Sequence, residues 1–280
     1  MKTLNDAQLL ALLQEDLPHG DLTTDNLALQ QRQGRMTFKA RHAMCVSAVE
    51  EAVRLLQLLG CVVQSEVASG TALQPGDLIL RAEGSAPVLL AGWKVTQTLV
   101  EWSSGISSCA AEIVAAATKV TPDITVACTR KAVPGTRRWS MQAIRDGGAQ
   151  LHRSGLSETL LLFPEHRAFA TGPETLQQQI QTLRQRCPER RLVVEVTSIQ
   201  DALKAAEWGA EVIQAEKFTL GDLRHLAQQL QAWPQVHLAA AGGINAANAA
   251  AYAASGATIL VTSAPYTAAP RDVSVSIQES

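Results

Sequence analysis

Glu195 and Glu216 each stand at the end of a short β-prone run, Leu192–Val196 and Val212–Ala215. Carboxylates at the ends of neighbouring parallel strands point into one mouth. There they can hold sugar hydroxyls directly, or through Mg²⁺, which prefers oxygen ligands and keeps several waters. Each acid taken alone reads more often as a salt-bridge partner; their shared position brings the functional reading level with that one.

A second group is neutral. Ala241-Gly242-Gly243-Ile244-Asn245 follows the run Val236–Ala240 and precedes a helix-prone stretch, Asn245–Ala254. Two glycines let the backbone approach a ligand, and amides with a helix N-terminus behind them favour an anion. The next run, Thr258–Val261, ends at Thr262-Ser263-Ala264. Phosphate sites of α/β barrels commonly occupy the loops after the last two strands. The plainer alternative is a Gly-Gly turn with a polar cap.

A third group is cationic. Arg130, Lys131, Arg137 and Arg138 fall in one loop after Thr125–Cys128, around a Pro134-Gly135 turn. Arginine forks suit carboxylate or phosphate, and lysine supplies a point charge. His152-Arg153 adds an imidazole and another cation just before the strand Thr159–Leu162. A solvated basic loop and a surface His-Arg pair are the alternatives. Taken together, the three groups match a polyanionic sugar phosphate and an acidic second substrate.

The elements that must position these residues follow from periodicity. From about Ile106, strand-like runs alternate with helical stretches at Arg138–Asp146, Glu174–Arg186, Ile199–Trp208, Leu220–Ala232 and Asn245–Ala254. Repeated βα units imply a parallel sheet. About six fit, which predicts an incomplete α/β barrel spanning 106–267. Residues 1–105 read as an α/β sandwich. It has a helix over Leu9–Leu17 capped by Asn5 or Asp6, a helix over Val49–Leu59 stopped by Gly60, and a long helix over Ala86–Ser104. Its strands are Arg35–Ala40, Met44–Val46, Val62–Val67 and Leu78–Ala82. The tail 268–280 contains the alternating run Asp272–Ile277 and is expected to return to the sandwich.

Bulk composition agrees with a globular enzyme. The chain has 280 residues, 46% of them hydrophobic and 18% charged, with a net charge of -2. These values give no reason to expect nucleic-acid or membrane-surface binding. Five cysteines without a CxxC pair argue against structural zinc and for reduced thiols in a cytoplasmic protein. The N-terminal stretch has no long apolar run resembling a signal segment, and no run is long enough to span a membrane.

Seven ordered segments then resemble the quinolinate phosphoribosyltransferase (nicotinate-nucleotide pyrophosphorylase, carboxylating) family. Cys128–Gly135 resembles its DTRKTTPG signature, and Leu151-His152-Arg153 its HR segment. Val194-Glu195-Val196, Glu216 with Phe218, and Ala241–Ile244 resemble EVE, LDNF and SGGI. Glu15-Asp16 with Gly20–Thr23, and Ser103–Ile106, resemble the upstream ED…GDLT and LSGI. The resemblance implies a sandwich plus incomplete barrel, and a homodimer in which one subunit's sandwich covers the other's barrel mouth. It also implies transfer from phosphoribosyl pyrophosphate (PRPP) with Mg²⁺. Lys131, Glu195 and Glu216 would be catalytic, the two glutamates holding ribose and metal. Gly242, Gly243 and Ser263 would hold the 5′-phosphate, and Arg130, His152 and Arg153 would line the acceptor and diphosphate region.

The departures from the pattern cluster at the acceptor end. Lys94 stands where the family has an acceptor-binding arginine given by the partner subunit. Phe163 replaces the lysine of LIKDNH, Glu216 the aspartate and Lys217 the asparagine of LDNF, and Ser263 a glycine. This combination resembles the ModD branch, associated with molybdenum transport. Three functions follow as expectations: transfer of phosphoribose to an altered heterocyclic acid, authentic quinolinate use in NAD biosynthesis, or non-catalytic binding of an oxyanion or nucleotide.

Overall fold

The computed structural model describes residues 5–169 and 173–280. Two compact units emerge. The first comprises Met1–Cys109, Val133–Gly148 and Thr267–Ser280; the second comprises Ala110–Ala132 and Ala149–Tyr266. The segment Val133–Gly148, read from the sequence as part of the barrel, clusters with the first unit.

The first unit is built on an antiparallel sheet. Strands are numbered in chain order: β1 (Gln33–Ala40), β2 (Met44–Cys45), β3 (Val62–Ser65), β4 (Ala72–Leu73) and β5 (Leu78–Ser85). The C-terminal strand β13 (Val273–Glu279) pairs with β1, giving the order β13-β1-β5-β3; β2 and β4 form a separate pair. Alternation along β1 buries Met36, Phe38 and Ala40 on one face. Each large apolar side chain so buried contributes on the order of 1.5–3 kcal/mol. The first helix, Asp6–Asp16, starts in a capping box: Asn5 Oδ1 accepts from the Gln8 amide at 3.1 Å, and Gln8 Oε1 accepts from the Asn5 amide at 3.3 Å.

The long helix extends beyond the sequence-based boundary at Ser104 and runs from Ala86 to Thr118. Gly105 lies within it, and its role is steric: a Cβ there would lie 2.4 Å from the Ala269 carbonyl oxygen. Ile106, Ala110, Ile113 and Ala117 continue a buried stripe at helical spacing. Around Gly105 the helix presents serines, not apolar groups. Ser108 Oγ accepts from the Cys45 amide at 2.9 Å and Ser104 Oγ from the Ser47 amide at 3.0 Å, so buried backbone donors are satisfied.

The second unit holds a parallel sheet of seven strands: β6 (Thr125–Cys128), β7 (Gln150–Leu151), β8 (Leu160–Leu162), β9 (Leu192–Val196), β10 (Val212–Glu216), β11 (His237–Ala241) and β12 (Ile259–Thr262). Their order is β7-β6-β12-β11-β10-β9-β8, so the sheet is an incomplete barrel with β7 and β8 at its edges. The extra strand relative to the six expected is β7. Two residues carry no readable period, yet Ala127↔Gln150 and Cys128↔Leu151 register, and the His152 amide donates to the Cys128 carbonyl at 2.9 Å. The helix expected over Asn245–Ala254 is confined to Ala249–Ala253. Asn245 Oδ1 takes the Ala247 amide and Asn248 Oδ1 takes the Asn245 amide, so asparagine side chains fold this stretch into turns first. No helix among the described residues is long and apolar enough to cross a membrane.

Candidate active site

The C-terminal ends of the seven strands surround a cavity of about 860 Å³ lying wholly within the second unit. Of the residues given a catalytic or binding role from the sequence, all but Lys94 line it. Lys94 belongs to the first unit, where it is exposed, lies 4.3 Å from the Trp93 ring centroid and donates to Gln97 Oε1 at 3.0 Å. Arg130 and Lys131 line the cavity; Arg137 and Arg138 of the same basic run do not, and Arg138 donates to Gln8 at 3.1 Å.

One wall is a cradle of backbone. Gly242 and Gly243 have φ of 101° and 74°, the left-handed region that glycine enters without strain. At Gly242 a side chain is also excluded by contact: a Cβ would sit 2.7 Å from Lys217 Cγ and 3.2 Å from Glu216 Oε1. Lys217 itself is held at φ 58°, with its amide donating to the Ala241 carbonyl at 2.8 Å. Thr262 ties the two loops together, giving its hydroxyl to the Ile244 carbonyl at 2.6 Å and accepting the Ala264 amide at 3.0 Å. Among the described residues the amides of Gly242, Gly243 and Ser263 donate to no protein acceptor. Free amides converging on a concavity make an anion nest.

Another part of the lining is cationic. Arg153 is only 7% exposed, and its guanidinium carbon lies 5.5 Å from the Phe163 ring centroid. None of the ion pairs among the described residues includes Arg130, Lys131 or Arg153. Burial, then the charge of Arg130, disfavours the cationic form of Arg153. Burial, then Arg153, pulls His152 below the ordinary imidazole range. Buried positive charge without a carboxylate is costly, so this wall is complementary to an anion. Phe163 stacks with His166 at a centroid distance of 5.9 Å, and its amide donates to His166 Nδ1 at 3.0 Å. That bond starts the short helix Pro164–Arg167 and fixes the ring at the cavity edge.

The acids lie on β9 and β10. Burial and then the charge of Glu216 raise the Glu195 carboxyl above the ordinary range; Glu165 adds to this, while Gln214 and Lys131 oppose it. Gln214 is in register with Glu195 and donates Nε2 to Glu195 Oε2 at 2.6 Å. Two mutually repelling carboxylates at a mouth that would receive phosphates suit Mg²⁺, which binds through one or two carboxylates, water and substrate oxygens. A cage of three or more protein ligands is absent among the described residues.

Sequence reasoning noted Lys217 only as a departure from the family pattern and gave no role to Gln214 or Glu165; all three are on the cavity lining. Gln214 was detectable: residues at spacing two on a strand share a face, so a glutamine two positions before Glu216 in an apolar run faces the same mouth. The left-handed backbone of Lys217 left no comparable sign.

The fold and cavity are those of a phosphoribosyltransferase-type α/β half-barrel, and comparison with known proteins agrees. The model of the quinolinate phosphoribosyl transferase C-terminal domain matches residues 106–276, and that of the N-terminal domain matches 21–104. The chain belongs to the quinolinate phosphoribosyl transferase family. It is 52% identical to the ModD protein of Rhodobacter capsulatus over 250 residues, covering 89% of this chain and 96% of that one. It is 39% identical to ModD of Escherichia coli O6:H1 over 276 residues, covering 98% and 97%. The crystal structure of NadC from Streptococcus pyogenes superimposes with a TM-score of 0.91 over 100% of both chains at 24% identity, a likeness of fold.

Proposed function

We propose that this chain transfers phosphoribose from PRPP to a ring nitrogen of an acidic heterocycle other than quinolinate, releasing pyrophosphate. The observation that carries this reading is the set of groups around one cavity: free amides of Gly242, Gly243 and Ser263 adjoin the Glu195–Glu216 pair, and Arg130, Lys131 and Arg153, in no ion pair among the described residues, line the same cavity. Amides alone would serve an anion sensor. Two carboxylates that repel one another have use where ribose hydroxyls and a metal-bound diphosphate must be held.

In this mechanism the glycine amides and Ser263 hold the 5′-phosphate. Glu195 and Glu216 hold the ribose and would hold Mg²⁺, which supplies charge neutralisation to the diphosphate. Arg130 and Lys131 face the leaving group, and Lys131 stabilises the charge it gathers. The acceptor nitrogen forms the bond to C1 of the ribose as the C1–oxygen bond breaks, and the electron pair departs with pyrophosphate. Charge builds on the ribose ring and the leaving group, so fixed opposite charges lower the barrier. His152, uncharged near neutrality because its pKa is lowered, and Arg153 orient the acceptor.

Phe163 argues for a changed acceptor. The ring itself offers a carboxylate no hydrogen-bond donor, where the lysine of the family pattern would, so a second carboxylate laid against it loses hydration there without a replacement partner. The family resemblance adds Lys94 to this reading through a homodimer. Pyrophosphate release from PRPP and Mg²⁺, with quinolinate and a panel of other heterocyclic acids, tests the proposal. Release with another acid and not with quinolinate supports it. Robust quinolinate-dependent release contradicts the changed acceptor, and silence across the panel contradicts the transferase reading.

A further inference from the structure

The loops of the anion nest follow β11 and β12, and the strand order β7-β6-β12-β11-β10 gives them different neighbours on their two flanks. On one flank, Arg130 and Lys131 follow β6 and His152-Arg153 follows β7. On the other flank Lys217 follows β10, and it is the sole cation lining the cavity on that side among the described residues. The mechanism above commits the first flank to the leaving diphosphate and the acceptor. The 5′-phosphate, a dianion, is left with neutral donors: the amides of Gly242, Gly243 and Ser263. Thr262 adds nothing, because its hydroxyl is given to the Ile244 carbonyl at 2.6 Å.

Lys217 is fixed against this nest by its backbone. Its φ of 58° lies in the left-handed region, where a long side chain is strained and where asparagine is enriched. The bond from its amide to the Ala241 carbonyl, 2.8 Å long, anchors it to the last residue before Gly242. A Cβ on Gly242 would lie 3.0 Å from the Lys217 nitrogen, 2.7 Å from Lys217 Cγ and 3.2 Å from Glu216 Oε1. The stem of the lysine therefore packs on the first glycine of the nest, with the Glu216 carboxylate beside the same point. The residue is exposed to solvent, and none of the ion pairs among the described residues includes it, not even one with Glu216. Strain that persists at a cavity lining is a mark of use. We infer that Lys217 is a phosphate-binding residue, its ammonium joining the amides of Gly242, Gly243 and Ser263 on the 5′-phosphate of the sugar substrate. This rests on the transferase reading above and adds to that nest the one positive charge it otherwise lacks. An ammonium serves here as a compact point charge, and hydrogen bonds from ionised donors are stronger than those from neutral amides.

The test is calorimetric titration of ribose 5-phosphate, and of PRPP with Mg²⁺, into the full chain as wild type, Lys217→Met and Lys217→Asn. Lys217→Met keeps the stem and the strained backbone but removes the charge. Lys217→Asn removes the charge and relieves the strain. Both variants are expected to bind ribose 5-phosphate about tenfold more weakly than wild type, the effect of one charge-assisted hydrogen bond. Added salt should weaken wild-type binding more steeply than binding to either variant. Lys217→Asn should also melt above wild type, so that stability rises as phosphate affinity falls. Equal affinity in wild type and Lys217→Met overturns the inference. So does a loss confined to Lys217→Asn, which would mark packing of the stem on Gly242 and not its charge. Should Lys217→Asn fail to fold, Lys217→Met decides alone. Wild type that binds both ligands no better than the variants sinks this inference and leaves the transferase reading standing. Wild type that binds neither ligand contradicts the transferase reading and takes this inference with it.

Discussion

The guanidinium carbon of Arg153 lies 5.5 Å from the centre of the Phe163 ring, so an aromatic face covers a buried cation on one side. Phe163→Lys would put an ammonium where the ring now shields Arg153. The variant is expected to tighten quinolinate binding, read by calorimetry, by about tenfold, the effect of one charge-assisted hydrogen bond. It should also lower thermal stability, because like charges crowd the empty cavity. Unchanged quinolinate affinity in a folded Phe163→Lys protein would mean that this wall does not meet the acceptor.

Glu216 closes β10 beside Gly242 and Glu195. Glu216→Gln keeps the shape and removes the charge. Turnover is expected to fall by about 10²- to 10³-fold, with circular dichroism and melting unchanged or slightly improved. Retained turnover would remove Glu216 from the mechanism.

Gly242→Ala places a methyl group against Lys217 and at a φ that alanine adopts only under strain. A stability loss of about 1–3 kcal/mol is expected, together with weaker PRPP binding as the amides swing off line. Denaturant titration reads the first and calorimetry the second. Intact PRPP affinity would place the phosphate elsewhere.

Burial and Glu216 raise the Glu195 carboxyl above its ordinary value of 4.5, so the folded chain holds that proton more tightly than the unfolded chain. Stability from this group is therefore full below 4.5 and is lost as pH rises through the raised value. Glu195→Gln abolishes the loss, so its melting temperature should exceed that of wild type at about pH 8 and converge with it in acid. Activity has the opposite sign, since the ionised form does the work: kcat/KM should rise with pH through the same window. Glu165→Gln, which removes one repelling charge, should move that acid limb to lower pH.

Sequence made the barrel legible where elements were long and periodic. Leu192–Val196 and Thr125–Cys128 stand where their β-rich composition put them. Short elements governed by tertiary contacts were opaque. Strand β7 consists of Gln150-Leu151 held by β6, and the long helix runs through Gly105, a glycine set by the room that the residue 269 backbone leaves. The same held at the site. Residue type and strand-end position indicated Glu195, Glu216 and the Gly242-Gly243 pair. Arg137 and Arg138 shared a charge run with Arg130 and Lys131, but spacing could not tell that the helix beginning at Arg137 belongs to the first unit.

The central claim is that the phosphoribosyl end of the cavity is intact while the acceptor end is altered. Calorimetric titration of PRPP, with and without Mg²⁺, into wild type, Gly242→Ala and Glu216→Gln tests it most directly. The account predicts saturable, Mg²⁺-dependent binding at one site per chain, weakened in both variants. No PRPP binding, or binding indifferent to both substitutions, would contradict it.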